Sequence, residues 1–114
     1  MAEMTAMTDL LLLKEENEHL QKFLRTAIGH FRNGEDANGI EGFLNGVEEL
    51  ERVVEIDQNS QQPKINMNQL LPVVRELYFY MQNQDITGIT DLLEYTVYPL
   101  TEEWLKGLTT HEYC

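Results

Sequence analysis

The chain has 114 residues, 42% of them hydrophobic, and a formal net charge of −12. That length suits one domain with an ordinary apolar core. An acidic excess of this size repels nucleic-acid phosphates and anionic membrane surfaces, so neither is an expected partner. The single cysteine, Cys114, leaves no internal disulfide. This fits a reducing cytoplasm. No secretory signal is visible, and the densest apolar run, Leu10 to Leu13, is far shorter than the roughly 20 residues that span a bilayer.

Helix 1 is expected to start after Thr8 or Asp9, either of which can cap free amides. Positions 10, 13, 17, 20, 24, 27 and 31 are Leu, Leu, Asn, Leu, Leu, Ala and Phe, an unbroken heptad pattern. Asn33-Gly34 stops it. The first turn is apolar all round, more than one core can cover. We therefore expect self-association through Leu10, Leu13, Asn17, Leu20 and Leu24, with Asn17 setting the register of a paired helix. The competing reading places Asn17 at the rim, with Leu11 or Leu12 covering a loop.

Helix 2 is expected over about Asp36 to Ile56, burying Ile40, Phe43, Leu44, Val47, Leu50 and Val54. Gly39, Gly42 and Gly46 cost it roughly 1 kcal/mol each in propensity. They share one side, where a second helix can approach closely. Gln58 to Lys64 reads as a linker. Helix 3 is placed from about Asn68, with Pro72 tolerable only near its first turn. Its stripe is Leu70, Val74, Leu77 and Met81, with Leu71 and Tyr78 beside it. Helix 4 follows Asp85 and uses Ile89, Leu92, Leu93, Leu100, Trp104 and Leu108, with a kink near Val97 because of Pro99.

One signature occurs twice: Asp36-x-x-Gly39-Ile40-x-x-Phe43-Leu44 and Asp85-x-x-Gly88-Ile89-x-x-Leu92-Leu93. Each copy follows an apolar helical segment and a polar stretch, which predicts two related helical hairpins. The fold class expected is all-α: an up-down antiparallel four-helix bundle built from two pseudo-repeated hairpins, about 9–57 and 67–109, with a linker at 58–66. Charge follows the same division. Residues 35–57 hold 8 acids and 1 base and residues 85–114 hold 6 and 1, whereas residues 58–84 hold 1 and 2. If helices 2 and 4 lie side by side, one face is strongly negative.

Candidate chemistry is sparse. Glu16-Asn17-Glu18-His19 matches the Glu-x-x-His element of di-iron bundles, but such a site needs two of these elements plus a carboxylate from each remaining helix. His30 and His111 follow Ala27 and Leu108 at that spacing, so the metal reading fails on ligand count. Adjacent carboxylates such as Glu15-Glu16, Glu48-Glu49 and Glu102-Glu103 diverge on a helix surface. No phosphate-cradling loop is present. We expect no catalytic residue, no metal and no cofactor. Tyr78, Phe79 and Tyr80 cover about 200° of one helix and cannot all face one core. Tyr78, Tyr80 and Tyr98 are thus candidate partner contacts.

The segments Arg32-Asn33-Gly34-Glu35-Asp36-Ala37-Asn38-Gly39-Ile40, Asp91-Leu92-Leu93-Glu94-Tyr95 and Tyr98-Pro99-Leu100-Thr101-Glu102-Glu103-Trp104 resemble small acidic helical proteins of Gram-positive bacteria whose function is uncharacterised. The resemblance spans about residues 25–105 and implies a bacterial, cytoplasmic helical protein. It brings no site residues with it. The leading expectation is a non-enzymatic bundle acting by protein–protein contact, as a homodimer with a further protein partner. The alternatives are a secretion or flagellar-type export chaperone or adaptor, a metal-binding bundle, and a nucleic-acid mimic suggested by charge alone.

Overall fold

A computed structural model describes the backbone of residues 2–112 and the side chains of residues 10–108. Among the described residues the chain is helical and contains no strand: α1 (Ala2–Arg32), α2 (Asp36–Gln58), α3 (Met67–Gln82), α4 (Ile86–Leu92), a π-helical turn (Leu93–Val97) and α5 (Tyr98–Glu112). α4, the π turn and α5 follow one another without a break, so these segments make four helical rods. α1 begins at Ala2, ahead of Thr8 and Asp9. Residues 2–9 contain neither Gly nor Pro, so nothing in them stops a helix propagating backwards from the packed part. The capping roles expected of Thr8 and Asp9 fall outside the described side chains.

α1 is the central strut. It packs along α2 and also touches α4, the π turn and α5, whereas α3 packs on α4. The heptad positions face inward: Leu13, Asn17, Leu20, Leu24, Ala27 and Phe31 are buried and Leu10 is partly so. Close approach to α2 depends on small residues. A Cβ on Gly39 would overlap the ring of Phe31. One on Gly42 would lie 3.3 Å from the Ala27 methyl, and one on Gly46 would lie 3.5 Å from Leu24 Cδ2. The glycines that weaken α2 by propensity are the ones that let α1 lie against it.

α2 makes at most slight backbone contact with α4 and α5, although Val53 and Asp57 of α2 line one small void with Trp104 and Leu108 of α5. The expected neighbourhood of helices 2 and 4 is thus met by side chains alone, without close backbone approach. α3 is also rotated from its expected setting. Leu70 and Leu77 are buried, with Val73 and Tyr80 packed against the core, while Val74 and Met81 are 40% and 39% exposed. Leu44 on α2, also expected inside, is 43% exposed. Pro72 lies beyond the first turn of α3, whose first residue is Met67. Asn66 caps that helix by accepting from the Asn68 amide at 3.0 Å.

The kink expected at Pro99 takes the form of the π turn. The Tyr98 amide donates to the Leu93 carbonyl, five residues back. A wider turn just ahead of proline accommodates the missing amide and the bulk of the ring. Val97, inside this turn, is buried at 2% exposure.

Both hairpins close on one turn type. Gly34 (φ 78°) donates to Phe31 and Glu35 to His30, and Gln84 (φ 53°) donates to Met81 and Asp85 to Tyr80. These are paired Schellman bonds around a left-handed residue. Equivalent turn residues are Gly34 and Gln84, so the repeated sequence signature falls one position out of step. Asp85 is an N-cap accepting from the Gly88 amide at 2.9 Å, whereas Asp36 is already the first helical residue. Gln84 adopts a conformation that costs a non-glycine residue about 1 kcal/mol. Gln84→Gly should therefore stabilise the protein in urea denaturation, by up to about 1 kcal/mol and less by the added unfolded-state entropy. An unchanged or lowered midpoint would count against strain at this turn.

The linker has a buried anchor that its sequence did not reveal. Asp57, 2% exposed, accepts from the Lys64 amide (2.9 Å), the Ile65 amide (3.0 Å) and Gln58 Nε2 (2.9 Å). This gathers residues 58–65 into a loop that buries Ile65. Asp57→Ala leaves two amides without that acceptor and should cost about 2–4 kcal/mol. Equilibrium urea unfolding measures this, and a loss under about 0.5 kcal/mol, the usual size for a plain surface change, would refute the anchoring role.

Candidate functional site

Two features of the surface and core stand out: a polar cluster between α1 and α2, and an exposed apolar band on α3. In the cluster, Glu16 and His19 sit one turn apart on α1. Across the seam, Glu49 and Arg52 sit one turn apart on α2. Donor atoms of Glu16, His19 and Glu49 all lie within 4.8 Å of one another. Glu49 is 2% exposed. Its Oε2 accepts from Arg52 Nη1 at 2.7 Å, and its Oε1 lies 3.9 Å from His19 Nδ1. Arg52 Nη1 is also 3.8 Å from Glu16 Oε2, a buried oxygen with no hydrogen-bond partner.

Two carboxyl groups thus share one guanidinium. Burial pushes Glu49 up to about 7, and the adjacent Glu16 carboxyl group reinforces the rise. Arg52 and His19 oppose it only in part. The arrangement can hold a proton near neutral pH. Its donor set has the composition of a three-ligand divalent site, with Arg52 already filling a cation's place on Glu49 Oε2. The Glu-x-x-His element on α1 was legible in sequence. Its third member was not, because Glu49 reads as part of a solvated Glu48-Glu49 pair until α2 is docked on α1.

The group's effect on stability has a definite sign. Glutamate in the unfolded chain titrates near 4.5 and Glu49 in the fold near 7. The folded state therefore keeps a proton that the unfolded state has lost, and this contribution is complete below about pH 4.5 and disappears as pH rises through about 7. Glu49→Gln should remove that dependence, making the variant relatively more stable at pH 8 than at pH 5 by about 1–3 kcal/mol. Parallel urea titrations of both proteins measure the difference. Parallel pH profiles would show that Glu49 titrates normally.

The expected self-association residues mostly lie elsewhere than on the surface. Leu13, Leu20 and Leu24 are 5%, 0% and 3% exposed, inside the chain's own core. Asn17 is 1% exposed; its Nδ2 donates to the Thr101 carbonyl at 3.2 Å, and its Oδ1 accepts from Gln21 Nε2 at 3.0 Å. It ties α1 to α5 instead of setting the register of a second copy. The surplus apolar surface of α1 falls on Leu11 and Leu12, 61% and 39% exposed.

The tyrosines divide. Tyr78 is 64% exposed, as is neighbouring Phe79 at 60%. Tyr80 turns inward against Gly88, and its hydroxyl donates to Glu76 Oε1 at 3.1 Å. Tyr98 is half-buried, and its hydroxyl accepts from Arg25 Nη1 at 3.0 Å. Leu71, Val74 and Met81 join Tyr78 along one flank of α3 at spacings of three and four residues. That band carries no charged residue, in a chain of net charge −12. Among the described residues no helix is long and apolar enough to cross a membrane.

The family model described as a domain of unknown function, DUF8042, matches residues 10–107. The chain belongs to that family. No curated protein and no solved structure matches it. The matched span reaches all four rods, the first and last in part, and holds both the polar cluster and the α3 band.

Proposed function

We propose that this is a non-enzymatic helical module that works by protein–protein contact. The observation carrying this reading is the concentration of large exposed apolar side chains on one helix: Leu71, Val74, Tyr78, Phe79 and Met81 on α3. Isolated apolar residues are ordinary on a protein surface, whereas a continuous band of them marks an association site. The titratable groups that do converge, at Glu49, already answer one another within the chain. In this reading the rods form an up-down antiparallel bundle of two related hairpins. Support for that comes from the shared turn closures at Gly34 and Gln84.

The same reading includes a homodimer formed through the start of α1, where Leu11 and Leu12 point outward. At about 100 μM, well above a micromolar dissociation constant, sedimentation should show a dimer, and Leu11→Glu with Leu12→Glu should return it to monomer. A wild-type monomer at that concentration would remove the homodimer. If in addition a Val74→Glu substitution changed no protein contact of any kind, the interaction reading would fall with it.

A further inference from the structure

We infer that the seam between α2 and α3 is a docking site for an amphipathic helix of another protein, with lysine or arginine along its edge. This rests on the protein-contact reading above and names the partner's chemistry. α2 and α3 make at most slight backbone contact, although each packs closely on another rod. Beneath them the core is closed: Leu24 of α1, Leu50 of α2, Leu77 of α3, and Leu93 and Val97 of the π turn are buried, and Val47 of α2 is half-buried above them. Only about 10 Å³ of free space is left there. A partner therefore lies across the rims and does not insert a deep anchor.

The α3 rim is apolar, and the α2 rim is apolar toward its start. The ring of Tyr80 lies against Gly88, so this side of α3 faces α4. Leu71, Val74, Tyr78 and Met81 occupy the other flank, beside the Leu77 that faces α2. On α2, Gly39, Gly42 and Gly46 face α1. The opposite flank carries exposed Leu44 with half-buried Ile40 and Val47. The rims run for about the length of α3, roughly 24 Å, enough for a helix of four to five turns.

Charge selects the occupant. Leu44, Glu48, Glu51 and Glu55 fall at i, i+4, i+7 and i+11, one line along α2, and all three glutamates are exposed. The α3 rim adds no acid to this line, its nearest charge being Arg75. A helix with an apolar face and a basic edge satisfies the rims and the glutamate row together. A second copy of this chain brings a net charge of −12 of its own and meets that row with repulsion.

The test uses labelled synthetic peptides and fluorescence anisotropy at about 0.15 M salt. One peptide has leucine at helical three-four spacing with lysine along both edges. A second replaces lysine by glutamate. A third scrambles the first, keeping its charge and losing its apolar face. The inference expects the first to bind best, at least about tenfold above both controls, with Leu44→Glu plus Val74→Glu abolishing that advantage. Both residues are exposed, and an unchanged thermal melt confirms that the variant folds. Glu48→Lys plus Glu51→Lys should weaken binding and flatten its salt dependence. Equal binding of the first and scrambled peptides, or equal binding by the Leu44/Val74 variant, overturns the inference. So does conversion of a wild-type dimer to monomer by Val74→Glu, which would assign the seam to a second copy while leaving the protein-contact reading intact.

Discussion

The close seam between α1 and α2 is the contact from which the remaining geometry follows. Ala27 and Leu24 meet α2 where Gly42 and Gly46 lack side chains, and Phe31 lays its ring where Gly39 does. Each fully buried leucine or phenylalanine contributes about 2 kcal/mol relative to exposure, which exceeds the helix-propensity cost of a glycine. Packing wins over propensity, and α2 is helical despite its composition. With α2 held against one side of α1, only the other sides remain for α4, the π turn and α5. α3 is left at the margin, covered on its α4 side.

That marginal position explains the exposed apolar band. A helix packed on one neighbour buries a narrow stripe, here Leu70, Val73, Leu77 and Tyr80. The adjacent stripe of Leu71, Val74, Tyr78 and Met81 is then left exposed beside the closed α2–α3 seam. The acidic row along α2 borders the same seam.

Buried polar groups at intervals along α1 and α2 define how the rods meet. Asn17 joins α1 to α5, Glu49 and Glu16 share Arg52 across the α1–α2 seam, and Asp57 ties down the linker. Asn17, Glu49 and Asp57 find hydrogen-bond partners within the chain, because an unmet buried polar group costs more than its hydrogen bond contributes, whereas Glu16 Oε2 has only the Arg52 charge at 3.8 Å. Exposed pairs such as Arg32 with Asp91 (3.0 Å) and Glu94 (2.6 Å) bridge the same rods but are solvated and add little.

Period and punctuation alone determined the helical class, the heptad face of α1, the glycine side of α2, the turn at Gly34 and the disruption ahead of Pro99. These are local: an apolar spacing, a missing side chain or a missing amide acts on its own few residues wherever they are placed. What each face touches was decided only by packing. Asn17 reads as a register device until Thr101 arrives beside it, Glu49 as a solvated acid until α1 covers it, and Val74 as core until α3 proves to have one close neighbour. The spacing of apolar residues along one helix cannot report how many other helices will cover it, since that number depends on the approach distances of the whole assembly.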